Sequence, residues 1–167
     1  MTTKPRTDNV KLRKLTGAFQ VAIRAALAAG ISVLLAQLCR FEHPIYALIA
    51  AVIVTDLSPA RTTKLGLQRL AATVVGASCG AVAGTALGAA AWAIGLSIFV
   101  AMATCHLLRA SDGAKVAGYI CGIVMIAHGT HPWVYAFFRL IETSLGIGVA
   151  WLLSLVPKLI HVEEPGS

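Results

Sequence analysis

The sequence predicts an all-α integral membrane protein with six transmembrane helices, arranged as a 3+3 inverted repeat. The chain is 57% hydrophobic and only 13% charged, and its mean hydropathy is +0.79, whereas soluble domains are about 25% charged. Its apolar residues form long runs without an alternating polar face, so a soluble fold would have to expose them. Two of these runs also begin with the same short motif.

Six apolar runs, separated by turn-forming residues, predict the six helices. The runs cover residues 17–39, 45–57, 70–87, 91–108, 116–128 and 137–160. The joints between them carry His43-Pro44, Ser58-Pro59-Ala60, Ser111-Asp112-Gly113 and the segment 129–132, while the joint at 88–92 is the least marked. The first run is as long as the roughly 20 residues that a membrane span needs. This length favours a retained helix over a cleaved signal peptide.

The distribution of lysine and arginine predicts the orientation. If the N-terminus is inside, the side opposite the cytoplasm holds at most Arg40 and Arg139. The cytoplasmic cations are then Lys4, Arg6, Lys11, Arg13, Lys14, Arg61, Lys64, Arg69, Arg109, Lys115 and Lys158. The positive-inside rule therefore predicts a basic cytoplasmic tail at 1–15, a membrane domain at 16–160 and a cytoplasmic tail at 161–167. The membrane is expected to be the bacterial inner membrane. The net charge of +7 suits contact with anionic lipid, and no nucleic acid partner is expected.

A repeated motif supports the inverted arrangement. The two copies are Arg69-Leu70-x-x-Thr73-x-x-Gly76 and Arg139-Leu140-x-x-Thr143-x-x-Gly146. Each copy opens the third helix of a three-helix half. Since each half crosses the membrane an odd number of times, the two halves point in opposite directions, which is a common transporter plan.

The second and fifth apolar runs are shorter than a full span. Pro44 and Pro59 bracket the second run, and glycines interrupt the fifth. Short, interrupted helices at matching places in two halves point to a transport site, because their freed backbone groups must line a cavity or be buried in protein. The alternative is that both helices are buried centrally and need less lipid-facing length.

Glycine recurs at every fourth position of the third helix. The four residues are Gly76, Gly80, Gly84 and Gly88. They form one smooth face, which predicts close packing against another helix of the same subunit or of a second one.

Charged residues inside the predicted helices are candidates for a transport pathway. Arg69 and Arg139 begin the two related helices, where they would be interfacial anchors or the cationic ends of an anion path. Glu142 follows Arg139 by three residues, which predicts a local ion pair. The full set of predicted substrate-binding or pathway residues is Arg24, Tyr46, Asp56, Arg69, Tyr119, Arg139 and Glu142.

Arg24 and Asp56 each have a second interpretation. Arg24 lies inside the first helix, from where its side chain could instead reach the headgroups by snorkelling. Asp56 ends the second helix and is either a proton-coupling carboxylate or a cap for the loop at Ser58-Pro59.

The sequence predicts no enzyme, metal site or cofactor. The cysteines Cys39, Cys79, Cys105 and Cys121 are widely spaced. The histidines His106, His128 and His131 have no cysteine or carboxylate set at metal-binding spacing. No nucleophile motif, phosphate loop or pair of catalytic carboxylates is present in the sequence.

Several motifs resemble the fusaric acid resistance and aromatic acid exporter family. They are Ile23-Arg24, the run 46–54, Ser58-Pro59, the segment 66–80 and Arg139-Leu140-x-Glu142-Thr143-x-x-Gly146. The resemblance covers about residues 18–155. It implies a six-helix membrane module in which Arg24, Arg69, Thr73, Gly76, Arg139, Glu142 and Gly146 match family positions. Relatives export aromatic carboxylates or, among plant malate channels, pass organic anions.

Together these features predict transport, in the direction of efflux, of a small organic anion such as an aromatic carboxylate. The predicted site lies between the second and fifth helices. Larger family members add a cytoplasmic domain and a second membrane module, so this chain, which ends at Ser167, is expected to form a homo-oligomer or to need a partner subunit. The alternatives are a passive anion channel formed by a homo-oligomer and a non-transporting module that assembles with a partner.

Overall fold

The computed structural model describes residues 5–108, 110–127 and 131–156 and is helical throughout, apart from the short connections. The helices are α1 (Pro5–Leu38), α2 (Ile45–Val54), α3 (Pro59–Leu87), α4 (Ala91–Leu107), α5 (Ala114–Ala127) and α6 (Pro132–Ser154), with a 3-10 turn at Ser111–Gly113. Some sequence predictions concern residues outside these ranges, namely Lys4, Arg109, His128, Lys158, the sixth helix beyond 156 and the tail 161–167.

Two of the long helices begin well before their apolar runs. α3 begins at Pro59 rather than residue 70, and α6 begins at Pro132 rather than residue 137. Proline suits the first helical turn because that turn leaves its N–H groups unpaired. The first turns of α3 also hold Arg61 and Lys64, which are good helix formers although they are not apolar. A hydropathy pattern therefore marks the apolar layer rather than the helix ends.

Among the described residues, three helices are long and apolar enough, by length and composition, to cross a membrane. These candidate spans are Leu15–Leu38, Pro59–Leu87 and Pro132–Ser154. The shorter apolar helices are Ile45–Val54, Ala91–Leu107 and Ala114–Ile126. The second and fifth helices are short, as predicted. The helix α4 is also short: its 17 residues extend over only about 26 Å at 1.5 Å per residue.

The helix contacts follow a repeated pattern. α2 packs on α6, and α5 packs on α3, while α3 and α6 contact each other. Gly76 of α3 lies against the backbone of Ala117 in α5, and Gly146 of α6 lies against the backbone of Ala47 in α2. Both residues of the first contact are offset by seventy from those of the second. The matched motifs therefore place equivalent glycines at equivalent helix crossings.

The predicted glycine face is only partly a packing face. A Cβ atom at Gly80 would lie 2.8 Å from the carbonyl oxygen of Cys121, so α3 and α5 are in close contact there. At Gly84 the nearest atoms would be 4.0 Å away. Gly88 does not belong to this face: no atom of the described residues lies within 4 Å of its ideal Cβ position, and its φ of 71° ends α3 in a conformation that favours glycine. The close crossing is thus made within the subunit.

Candidate functional site

Two buried arginines lie on the facing sides of α3 and α6. Arg69 is 3% exposed and Arg139 is 1% exposed. Each belongs to the face of its helix that also carries a threonine and a glycine of the repeated motif, Thr73 and Gly76 in α3 and Thr143 and Gly146 in α6. Small residues at these positions bring the helices close together. The long arginine side chains are consequently enclosed within the protein.

Arg69 contacts Tyr119 of α5. Its Nη2 donates a hydrogen bond to the tyrosine hydroxyl, and its Cζ lies 5.5 Å from the centroid of the ring. The buried Nε and Nη1 atoms of Arg69 have no hydrogen-bond partner among the described residues. Two donor groups of this buried guanidinium are therefore unsatisfied among the described residues.

Arg139 stacks on Tyr46 of α2. Its Cζ lies 3.2 Å from the centroid of the Tyr46 ring and 6.0 Å from that of Tyr119. Within the described part of the chain, its buried Nε and Nη1 atoms also lack a hydrogen-bond partner. The centroid of the Tyr119 ring thus lies within 6.0 Å of the Cζ atoms of both arginines.

A small aromatic cluster adjoins Arg139. The hydroxyl of Tyr135 donates to the hydroxyl of Tyr46 over 2.7 Å, and the two rings meet edge to face with their centroids 6.2 Å apart. The His43 ring centroid lies 5.7 Å from that of Tyr46 and 5.8 Å from that of Tyr135. These contacts tie the loop before α2 to the first turn of α6.

Glu142 lies one turn beyond Arg139 but does not form the predicted ion pair with it. The side-chain salt bridges of the described residues do not include this pair. Instead, Oε1 of Glu142 accepts a hydrogen bond from the backbone N–H of His43, at 3.3 Å. Glu142 is 2% exposed. The stack on Tyr46 holds Arg139 in another direction, so the i, i+3 spacing alone does not pair the two charges.

A cavity of about 360 Å³ opens beside this cluster. The segment 40–43 and His131 form its rim, and Tyr135, Phe138 and Glu142 of α6 form its wall. Its volume falls within the range of about 300 to 1,000 Å³ that is typical of small-ligand pockets. The cavity is lined by aromatic rings and by the charged side chains of Arg40, Glu42 and Glu142, of which Glu142 lies one helical turn beyond Arg139.

Arg24 and Asp56 lie away from this site. Arg24 donates from Nη1 to the carbonyl of Leu57 at 3.1 Å, and from Nη2 to the carbonyl of Val156 at 2.6 Å. Asp56 forms a salt bridge with Arg61 at 3.2 Å and accepts a hydrogen bond from the N–H of Ser58. Both groups sit at the end of α2 opposite His43, and α2 is 10 residues or about 15 Å long.

The sequence-predicted residues Arg69, Tyr119, Tyr46, Arg139 and Glu142 come together in one region, but two members of that region were not predicted. Tyr135 precedes Arg139 by one helical turn, so the helical period could have placed it on the same face. The proximity of His43 depends on how α2 packs on α6, and no sequence pattern gives that contact.

The chain matches the family described as "Aromatic acid exporter family member 1" over residues 18–156. It is 28% identical over 150 residues to the UPF0421 protein OB2406 of Oceanobacillus iheyensis, an alignment that covers 87% of this chain and 41% of that protein. The chain therefore spans less than half the length of this relative. No solved structure shows significant similarity to it. Because the family match covers most of its length, the chain belongs to the aromatic acid exporter family.

Proposed function

We propose that this protein transports small organic anions, such as aromatic carboxylates, across a membrane in the direction of efflux. The observation that carries the proposal is the pair of buried arginines with unpartnered donors. Arg69 and Arg139 both lie within 6.0 Å of the Tyr119 ring. An unpaired charge in a low-dielectric interior is costly, so binding of an anion between them would stabilise the site.

The chemistry of the site suits a carboxylate on an aromatic ring. A guanidinium is a planar fork whose parallel N–H groups can hold both oxygens of a carboxylate. The edges and faces of Tyr46, Tyr119 and Tyr135 offer favourable packing geometry to a further ring. The family to which the chain belongs is named for the export of aromatic acids, in agreement with this chemistry.

The proposal includes six membrane crossings in two inverted halves. The contact of Gly76 with Ala117 and the equivalent contact of Gly146 with Ala47 support it. In each contact, the third helix of one half would pack against the middle helix of the other half. The shortness of α2 and α5 supports it as well, because interrupted helices in matching positions commonly flank a transport site. α4 would then cross only with help from its flanking residues or from local thinning of the bilayer.

The proposed location is the bacterial inner membrane, with both termini in the cytoplasm. The distribution of lysine and arginine supports this orientation. Reporter fusions at Ser167 and within the segment 129–132 should report opposite compartments. If the two fusions report the same compartment, the proposed crossing of α6 is wrong.

Flux in liposomes tests the transport proposal directly. Purified protein should carry labelled benzoate faster than protein-free liposomes, and Arg69→Gln and Arg139→Gln should each reduce that flux. Arg61→Gln is the matched control, because Arg61 has a 71% exposed side chain and lies outside the site. Wild-type flux in both buried variants would contradict the proposed site.

The same preparation separates the proposal from its two rivals. A benzoate current in voltage-clamped bilayers, without coupling to any other gradient, would favour a passive channel. No flux of any aromatic or aliphatic acid would favour a non-transporting module. Cross-linking in these liposomes measures the proposed self-association, and copurification from the native membrane measures assembly with a partner subunit.

A further inference from the structure

The buried charged side chains of the site together carry one net positive charge. Among the described residues, the buried charged side chains are Arg24, Arg69, Arg139 and Glu142. Arg24 belongs to the far end of α2, where backbone carbonyls accept its hydrogen bonds. Of the remaining three, Arg69 contacts Tyr119, Arg139 stacks on Tyr46, and Glu142 accepts a hydrogen bond from His43.

Glu142 is placed where an arriving ligand would meet it. It shares a face of α6 with Arg139 and forms part of the cavity wall. The N–H of His43 holds one of its oxygens. It forms no side-chain salt bridge with Arg139, whose unpartnered donors are buried one helical turn away.

Charges interact more strongly where they are shielded from water than where they are fully solvated, and Arg69, Arg139 and Glu142 are all buried. A ligand with one carboxylate neutralises the net charge of the site. A ligand with two carboxylates exceeds that charge, and its second carboxylate approaches Glu142. We infer that the site selects organic monoanions against dianions, and that Glu142 is the residue that sets this preference; the inference rests on the proposed transport.

The other groups that line the cavity include His43, His131 and Tyr135, and Tyr46 packs against His43 and Tyr135. At the rim, Arg40 and Glu42 carry opposite charges and are exposed to solvent. Solvent and salt screen exposed charges much more than buried ones.

The test compares two ligands with the same ring but different charge, namely benzoate and terephthalate. Their fluxes are measured at pH 8 in liposomes that contain the full chain. Wild-type protein should favour benzoate at least about tenfold, which corresponds to about 1.4 kcal/mol. Glu142→Gln keeps the side-chain shape and an oxygen for the His43 N–H, but it raises the net charge of the site to two. The flux ratio should then shift at least about tenfold toward terephthalate.

Glu42→Gln is the matched control, since it removes the same charge from the exposed rim of the same cavity. Its flux ratio should stay close to that of wild type. Equal wild-type fluxes of the two ligands, or an unchanged ratio in Glu142→Gln, would overturn the charge selection while leaving transport in place. An equal shift in Glu42→Gln would also overturn the role of Glu142. Absence of any wild-type flux would overturn the proposed transport and this inference with it.

Discussion

The guanidinium of Arg139 stacks directly on the ring of Tyr46, with its Cζ 3.2 Å from the ring centroid. The contact joins α6 to the short helix α2, and the hydroxyl of Tyr135 reinforces it by donating to that of Tyr46. A desolvated cation–π contact contributes about 2 kcal/mol or more. Tyr46 therefore both stabilises the packing of α2 and fixes the direction of the Arg139 side chain.

Two substitutions of Tyr46 distinguish the contribution of its ring to stability from that of its hydroxyl. Tyr46→Phe keeps the ring and loses the acceptor of the Tyr135 hydrogen bond, so we expect a modest loss of stability. Tyr46→Leu loses both, and its free energy of unfolding should be lower than that of Tyr46→Phe by about 2 kcal/mol. Thermal unfolding in detergent measures the order of the two variants. Equal melting temperatures would show that the stack contributes no stability.

The glycines of α3 should differ sharply in their tolerance of a methyl group. At Gly76 a Cβ would collide with the backbone of Ala117, which cannot move without separating α3 from α5. Gly76→Ala should therefore lower the free energy of unfolding by about 1 to 3 kcal/mol. Gly84→Ala is the control on the same helix, because its nearest contacts would be 4.0 Å away. A Gly76→Ala variant as stable as Gly84→Ala would contradict the close crossing.

Arg24 should affect stability rather than ligand affinity. Its two hydrogen bonds hold the carbonyls of Leu57 and Val156, which lie just beyond the C-terminal ends of α2 and α6. Arg24→Gln should lower the free energy of unfolding, since each hydrogen bond to a charged group contributes about 1.5 to 3 kcal/mol. The apparent affinity for benzoate, measured on the folded fraction, should remain that of wild type. A weakened affinity at unchanged stability would instead assign Arg24 to the pathway.

The sequence predicts the helical class and most of the central residues, because these follow from local patterns. The motif repeat identifies Arg69 and Arg139 as equivalent, and the proline and glycine positions indicate that α2 and α5 are short. The contacts that decide side-chain direction are not local. The spacing of Arg139 and Glu142 predicts a shared face, but Tyr46 of another helix competes for the guanidinium.

The same reason accounts for the remaining differences. Gly88 continues the four-residue period of α3, yet the helix ends there, because a period in the sequence does not show where the backbone turns. Asp56 was open to two interpretations, and its contacts with Arg61 and Ser58 are those of a loop-stabilising residue. His43 could not be found, since only the packing of α2 on α6 brings it to Glu142.

The two central arginines should not tolerate lysine if they bind a carboxylate. An ammonium keeps the charge but cannot reproduce the two parallel hydrogen bonds of the planar guanidinium. It also could not maintain the extended stack of Arg139 on Tyr46. Arg69→Lys and Arg139→Lys should therefore each weaken the apparent affinity for benzoate about tenfold or more, since a lost hydrogen bond between charged groups contributes about 1.5 to 3 kcal/mol.

Benzoate flux as a function of concentration, with the amount of folded protein matched, gives this affinity. Arg61→Lys is the control for exchanging arginine on an exposed surface, and it should behave as wild type, because its side chain is 71% exposed. Arg69 and Arg139 are also expected to differ from each other. Arg69 keeps a polar partner in the Tyr119 hydroxyl, which an ammonium can still reach, whereas the stack of Arg139 uses the face of the guanidinium. The larger loss of benzoate affinity should thus occur in Arg139→Lys. Unchanged affinity in both variants would show that these residues anchor the helices and do not bind the anion.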